Sequence, residues 1–209
     1  MRIAIFGGTG PTGRLAIDAA LLAGHTVTAF ARDPARLERR ARLTISTGPL
    51  SDAEGVERAI AEADAVLSLL GPTPGGGAHA IPDGTSAILA AMTTHGVHRL
   101  VAVSHAVARD PADRLGLGGR ARLRLAYASR PADYREIVRT AERIRASTAD
   151  WTLVRAVRLT DGPRTGRVVA GPLTGATTAP ISRANLADIL VRELSDGALV
   201  GQAPVVIDG

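Results

Sequence analysis

The stretch GGTGPTG, Gly7–Gly13, constrains this chain more than any other. It follows the apolar run RIAIF (Arg2–Phe6), which reads as a strand. It opens a helical pattern from Thr12 to Ala23, with Leu15, Ala16, Ala19 and Leu22 as the expected inner face. Gly8, Gly10 and Gly13 fit G-x-G-x-x-G, and Gly7, Gly10 and Gly13 fit G-x-x-G-x-x-G. Between a strand and a helix, such glycines permit a tight turn and let backbone N–H groups approach a pyrophosphate. The last of them lets the helix close on the strand. The first-turn amides then face the anion, and Pro11 fits a helix start. The alternative is a glycine turn that packs a strand on a helix with no ligand, and the strand–turn–helix context weighs against it.

Short β-branched runs alternate with longer helical ones over the remaining sequence. HTVTAFA (His25–Ala31), LTIST (Leu43–Thr47), AVLSLL (Ala65–Leu70), RLVAVS (Arg99–Ser104), WTLVRA (Trp151–Ala156) and PVVID (Pro204–Asp208) read as strands. Helices are expected from a Ser51/Glu54 capping box to Ala63 and from Ile81 to His95. A third has the face Tyr134, Ile137, Val138, Ala141 and Ile144, and a fourth runs from a Ser182 cap to Leu194. The alternation argues an α/β fold with a Rossmann-type doubly wound parallel sheet, in a single NAD(P)-binding domain over residues 1–209. Two irregular stretches, 71–80 and 105–132, leave carboxyl ends of strands and are the expected substrate loops.

Composition narrows the function classes. A net charge of +5 invites a nucleic-acid reading, but every one of the 25 basic residues is arginine, and aromatics are 2% of the chain. The charge gathers between His105 and Ala132, with six Arg against Asp110 and Asp113. Such a loop meets an anionic ligand or serves as a solvated lid. With few rings to stack bases, no nucleic-acid partner is expected. No apolar run approaches the roughly 20 residues of a membrane span, and RIAIF is too short for a signal peptide. A cytoplasmic protein with a small-molecule substrate and no membrane partner is expected, the oligomeric state being open with a monomer favoured. There is no cysteine, and no histidine spacing of a metal site, so no metal is expected.

The stretch FARDPARLERR, Phe30–Arg40, bears on the choice of cofactor. In this fold a carboxylate about 20 residues past the glycines holds the ribose hydroxyls of NAD, whereas an arginine there accommodates a 2′-phosphate. Arg32 stands 19 residues after Gly13 at the end of the second strand. Asp33 comes one position later and is expected to cap a short helix from Pro34. Arg36 lies one turn beyond Arg32, so both are candidates for the 2′-phosphate of NADP. Arg39, Arg40 and Arg42 read as a solvated face.

IAIFGGTGPTG, VTAFARDPARL, DAVLSLLGPTP, HGVHRLVAVSHA, DWTLVRAVRLTDGPRTG and GATTAPISRANLADILVREL together resemble the atypical short-chain dehydrogenase/reductase group. That group contains biliverdin-IXβ reductase (flavin reductase) and NmrA-like NADP-binding proteins. The resemblance implies that Gly7, Thr9, Gly10, Pro11, Thr12 and Gly13 line the cofactor phosphates and that Arg32 and Arg36 bind the 2′-phosphate. It places Leu50 of GPL by the adenine, where Pro49 replaces the family's usual Asp. Leu70, Gly71 and Pro72 fall on the nicotinamide ribose side, and Ser104 and His105 near the nicotinamide ring, His105 departing from the family's usual Ser or Thr.

The common dehydrogenases of this superfamily pass a proton through Tyr-x-x-x-Lys. This chain has no lysine, and Tyr127 and Tyr134 are followed four residues on by Pro131 and Val138. What remains is hydride transfer from NADPH to a small conjugated acceptor, flavin, quinone or bilin-like, with solvent supplying the proton. Ser104 and His105 are the candidate catalytic residues. His105 is the candidate proton donor, with an uninvolved loop histidine as the alternative. His79 could touch substrate or lie on the surface, and Arg155 or Arg158 could bind an anionic substrate or form salt bridges. A non-catalytic NADP-binding regulator of the NmrA-like kind is the other reading of the same sequence.

Overall fold

Strands covered on both faces need apolar side chains at successive positions. Ile3–Phe6 and Ala65–Leu67 meet that requirement, each residue being buried. The computed structural model describes residues 1–72, 80–174 and 179–209. Its first half runs β1 (Arg2–Phe6), α1 (Pro11–Leu22), β2 (Thr26–Ala31), a 3-10 turn (Pro34–Arg36), β3 (Leu43–Thr47), α2 (Ala53–Ile60), β4 (Ala65–Ser68), α3 (Ala80–Thr94) and β5 (Arg99–His105). There follow α4 (Leu117–Ser129), α5 (Pro131–Arg145), β6 (Asp150–Ala156), β7 (Leu159–Thr160), β8 (Val168–Gly171), β9 (Ile181–Ser182), α6 (Arg183–Asp196) and β10 (Val205–Asp208).

The main sheet has the order β3-β2-β1-β4-β5-β6-β10-β8. Neighbours from β3 to β10 are parallel, and only β8 runs antiparallel, against β10. The Rossmann-like sheet read from the sequence is therefore present, with an antiparallel edge added. β7 and β9 form a small separate parallel pair. Strand order reverses between β1 and β4, which makes their carboxyl ends the switch point where this architecture opens a crevice.

The sheet separates two apolar layers. Ile3 and Ile5 of β1 point to the layer of α1 and α6, and Ala4 and Phe6 to the layer of α2, α3 and α5. The expected face of α1 requires correction. Gly13, Ala16, Ile17, Ala20 and Leu21 are buried, whereas Leu15 and Leu22 are exposed. The rotation follows from Gly13, which must face the turn after β1. The buried set then recurs at three- and four-residue intervals from it. At α2 the cap is Asp52, not Ser51: its Oδ1 accepts from Gly55 N–H at 3.0 Å, and the helix stops at Ile60. The 105–132 stretch also departs from a plain loop. It contains α4, a helix with no buried residue.

Arg155 resolves in favour of the salt bridge. Its side chain is fully buried, and its guanidinium grips Asp113 with two bonds of 2.7 and 2.8 Å. The same guanidinium donates to the carbonyls of Ala203 and Ala108. Asp113 also accepts from Leu173 N–H and Asp110 N–H. Burial alone would raise the Asp113 carboxyl, but Arg155 and the backbone donors hold it below its ordinary range. The pair thus ties the segment after β5 to β6 and to the residues after β8. Arg155→Ala leaves a buried carboxylate without its partner and is expected to cost about 3–5 kcal/mol in urea unfolding. Arg155→Met combined with Asp113→Leu should recover only part of that loss, because the Ala203 carbonyl and the N–H groups of Leu173 and Asp110 then lose their partners.

Candidate cofactor and acceptor site

The sharpest local constraint lies at the exit of β1. Gly7 has φ +83°, and a Cβ there would lie 2.6 Å from Leu69 O. A Cβ on Gly13 would lie 2.2 Å from Gly7 O, so only hydrogen fits between α1 and the turn beneath it. Gly10 differs. Its φ of −74° suits any residue, and an added Cβ would meet only Gly7 O, at an ordinary 3.5 Å. A Cβ on Gly71, past the end of β4, would meet nothing within 4 Å among the described residues. Protein packing accounts for Gly7 and Gly13 and leaves Gly10 and Gly71 open to a close-lying ligand.

Gly10 is the N-cap of α1, and no side chain caps it, so the first-turn amides remain available to an anion. Pro11 occupies the first turn, and Thr9 and Thr12 are half-buried beside it. These residues fit the pyrophosphate of a dinucleotide.

Arg32 directly follows β2, whose last residue pairs with Thr47. Asp33 does cap the 3-10 turn, its Oδ1 accepting from Ala35 N–H at 3.1 Å. That turn contains Arg36. Arg32 and Arg36 are exposed, and neither side chain has a hydrogen bond or ion pair among the described residues. Their neighbours are engaged elsewhere: Arg40 pairs with Asp18 and Glu38, and Arg42 donates to Leu21 O. Arg39 is exposed like the first two. Leu50 is half-buried and packs against α3, where a Cβ on Gly84 would lie 2.9 Å from its own Cβ.

Beyond Gly71 the carboxyl ends of β4, β5 and β6 border a cavity of about 200 Å³. Leu70, Gly71, Pro72, Ser104 and His105 all line it, so five of the residues singled out in the sequence come together here. Ile81, Val103, Ile137, Thr140, Ala156, Val157 and Leu159 also line it. Among these, Ile137 and Thr140 went unrecognised as site residues. They stand one turn apart on α5, and that spacing was the available signal. His79 and most of the expected loop 71–80 lie outside the described residues, which omit 73–79.

His105 is held on both sides. Val107 N–H donates to Nδ1 at 3.1 Å, and Nε2 lies 3.1 Å from Val157 O. This pairing sets the neutral tautomer with its proton on Nε2. Burial pushes the imidazole below its ordinary 6.5. Tyr134 packs on the ring at 5.1 Å between centroids, as a core residue of α5. Tyr127 stacks on Tyr134 in turn. Among the described residues no group of three or more His, Asp or Glu side chains could hold a metal ion, and no helix is long and apolar enough to cross a membrane.

A parallel sheet with a glycine turn at its switch point and an uncapped helix above it defines a dinucleotide-binding α/β protein. A family model described as NAD(P)H-binding matches residues 7–197, and the chain belongs to that family. Solved structures of the same fold include the oxidoreductase ylbE from Lactococcus lactis, 17% identical, with a TM-score of 0.82 over 100% of this chain and 91% of that one. A short-chain dehydrogenase/reductase from Veillonella parvula in complex with NADP is 18% identical, with a TM-score of 0.79 over 99% and 94%. The anaerobillin reductase ChuY from Escherichia coli O157:H7 is 19% identical, with a TM-score of 0.80 over 100% and 97%.

The two kinds of glycine give opposite expectations. Gly13→Ala forces a carbon against the Gly7 carbonyl and is expected to destabilise by about 1–3 kcal/mol or more. Gly10→Ala should cost about 1 kcal/mol or less, as a weaker helix cap, yet abolish nucleotide binding. Thermal melts beside NADPH fluorescence titrations separate the two effects. Unchanged binding by Gly10→Ala would remove the ligand role from that glycine.

Proposed function

We propose that the protein is an NADPH-dependent oxidoreductase that reduces a small conjugated acceptor of the flavin, quinone or bilin kind, as a cytoplasmic enzyme without a metal. The observation that carries this reading is the apolar cavity beyond Gly71, which has no Arg, Asp or Glu among the described residues of its wall. It adjoins the turn whose open glycine and uncapped helix suit the cofactor phosphates. Such a cavity takes the apolar conjugated ring of an acceptor rather than a sugar, the carboxylates of a bilin staying outside it.

When bound, the reduced nicotinamide supplies one hydride, and the acceptor gains a proton from solvent, giving NADP⁺ and the two-electron-reduced acceptor. No lysine is present to tune a tyrosine for proton relay. In this reading Ser104 and His105 border the ring site. His105 presents a neutral ring whose Nε2 proton faces Val157 O, which favours a shaping role over proton donation. Arg32 and Arg36, free of side-chain partners among the described residues, select the 2′-phosphate. A regulator that only senses the cofactor has no use for the cavity, and it would bind NADPH without oxidising it.

Two guanidiniums on a phosphate contribute about 1.5–3 kcal/mol each, and half of their sum already gives about a tenfold preference for NADPH over NADH. Arg32→Ala is therefore expected to weaken NADPH about tenfold or more and to leave NADH nearly unchanged in fluorescence titrations. Equal affinities of the unaltered protein for the two cofactors would overturn the NADP assignment.

NADPH oxidation against flavins, quinones and bilins tests the reaction, and cofactor binding with no turnover on any of them would favour the regulator. His105→Ala should lower turnover by less than about 100-fold, the low end of general-acid contributions, because water can supply the proton. A larger loss with NADPH still bound would make His105 the donor.

A further inference from the structure

The segment His105–Ala132 holds six arginines and two acids, Asp110 and Asp113. Both acids are engaged by arginines outside it. Asp113 grips Arg155, and Asp110 pairs with Arg145 at 3.4 Å. The segment's own carboxylates therefore do not cancel its positive charge. Arg120, Arg122 and Arg124 stand on α4, which has no acidic residue.

α4 has two apolar faces. The inner one holds Leu123, Ala126 and Tyr127, all half-buried. Leu123 packs against the cluster of Ala106, Leu115, Leu173 and Val205, and Tyr127 stacks on Tyr134 at 6.2 Å between centroids. The outer face has no such partner among the described residues. Leu117, Ala121, Leu125 and Ala128 recur at intervals of four and three residues, so they form one line along the helix. All four are exposed, Leu117 by 86% and Leu125 by 75%. Helical geometry puts Arg120 and Arg124 on one flank of that line and Arg122 on the other. Exposed leucines scattered singly are ordinary. Here they share a line edged by cations on both sides, the pattern of a helix that lies in a membrane–water interface.

Charge and size decide between the possible occupants. A second copy of the chain laid stripe to stripe would bring arginine onto arginine. An acidic protein would need more surface than this. The 13 residues of α4 are about 20 Å long, and one face of such a helix is well below the roughly 800 Å² that a standard interface takes from each partner. An anionic bilayer sets no such requirement. Its boundary takes up leucine and alanine, while arginine stems reach past them to the headgroup phosphates. A helix in the interface plane does not span, so the lack of a long apolar run does not bear on it.

We propose that the outer face of α4, the line from Leu117 to Ala128 with its flanking arginines, is a docking surface for the anionic headgroup layer of a phospholipid bilayer. It holds the protein reversibly on the membrane surface and is independent of which acceptor the cavity takes.

Co-sedimentation of the full chain with vesicles tests this, using phosphatidylcholine alone and phosphatidylcholine with about a third phosphatidylglycerol. Binding to the mixed vesicles is expected to be about tenfold tighter or more, and to weaken in about 0.5 M salt. Leu117→Gln combined with Leu125→Gln removes the apolar line and keeps every charge. It should lower binding to the mixed vesicles about tenfold or more. Arg124→Gln should lower it by about fivefold and leave binding to neutral vesicles unchanged. Tm and the NADPH Kd should hold in each variant, because these side chains are exposed.

Equal binding to the two kinds of vesicle, or none, would overturn the proposal. So would mixed-vesicle binding that the paired leucine substitution leaves unchanged, since charge spread over the whole surface would then account for it. A dimer in sedimentation velocity that the same substitution dissociates, without vesicle binding, would assign the stripe to a second copy. A polyglutamate peptide bound through those leucines, again without vesicle binding, would assign it to an acidic protein, and either result overturns the bilayer.

Discussion

Everything at the carboxyl edge of the sheet depends on how closely α1 sits on the turn that leaves β1. The 2.2 Å that would separate a Cβ on Gly13 from Gly7 O is far inside van der Waals contact. Only two glycines let the helix start there. That seating sets the rotation of α1, which puts Ala16, Ile17, Ala20 and Leu21 into the layer shared with α6. It also brings the uncapped first turn over the crevice between β1 and β4, where helix amides and strand order together favour an anion.

The charges of this arginine-rich chain divide by what they touch. Arg155 is buried and matched by Asp113, so it holds segments together. Arg99 does the same at the amino end of the sheet, pairing with Glu193 and donating to Thr152 and to the Asp150 carbonyl. Such pairs persist in the interior because each charge meets an opposite one, and removing either partner is costly. Arg32 and Arg36 stand at the rim, exposed and without side-chain partners among the described residues. A guanidinium in that position remains available to a phosphate from outside.

The cavity next to the glycine turn is held by a different kind of order. His105 closes one side through bonds to the backbone of Val107 and Val157 and through its packing on Tyr134. The imidazole is thereby a fixed neutral wall, and burial strengthens that state by disfavouring its charged form. α5 contributes Ile137 and Thr140 to the cavity wall.

The sequence by itself determined the strand–turn–helix at Gly7–Gly13, the parallel α/β class, and the place of Arg32 at the end of β2. These rest on local spacing: glycines at fixed intervals, β-branched runs, and a cap by Asp33 on the turn after Arg32. The NAD(P)H-binding family was legible for the same reason. Only the tertiary structure decided which face of α1 is buried, because Leu15 and Leu22 satisfy a helical period as well as Ile17 and Leu21 do. It decided that Arg155 is a buried tie, since Asp113 lies far from it in sequence and close in space. It also decided that Thr140 shares a wall with Ser104 and His105. That wall forms where α5 meets the ends of three strands, and no local pattern in the chain records contacts made across the fold.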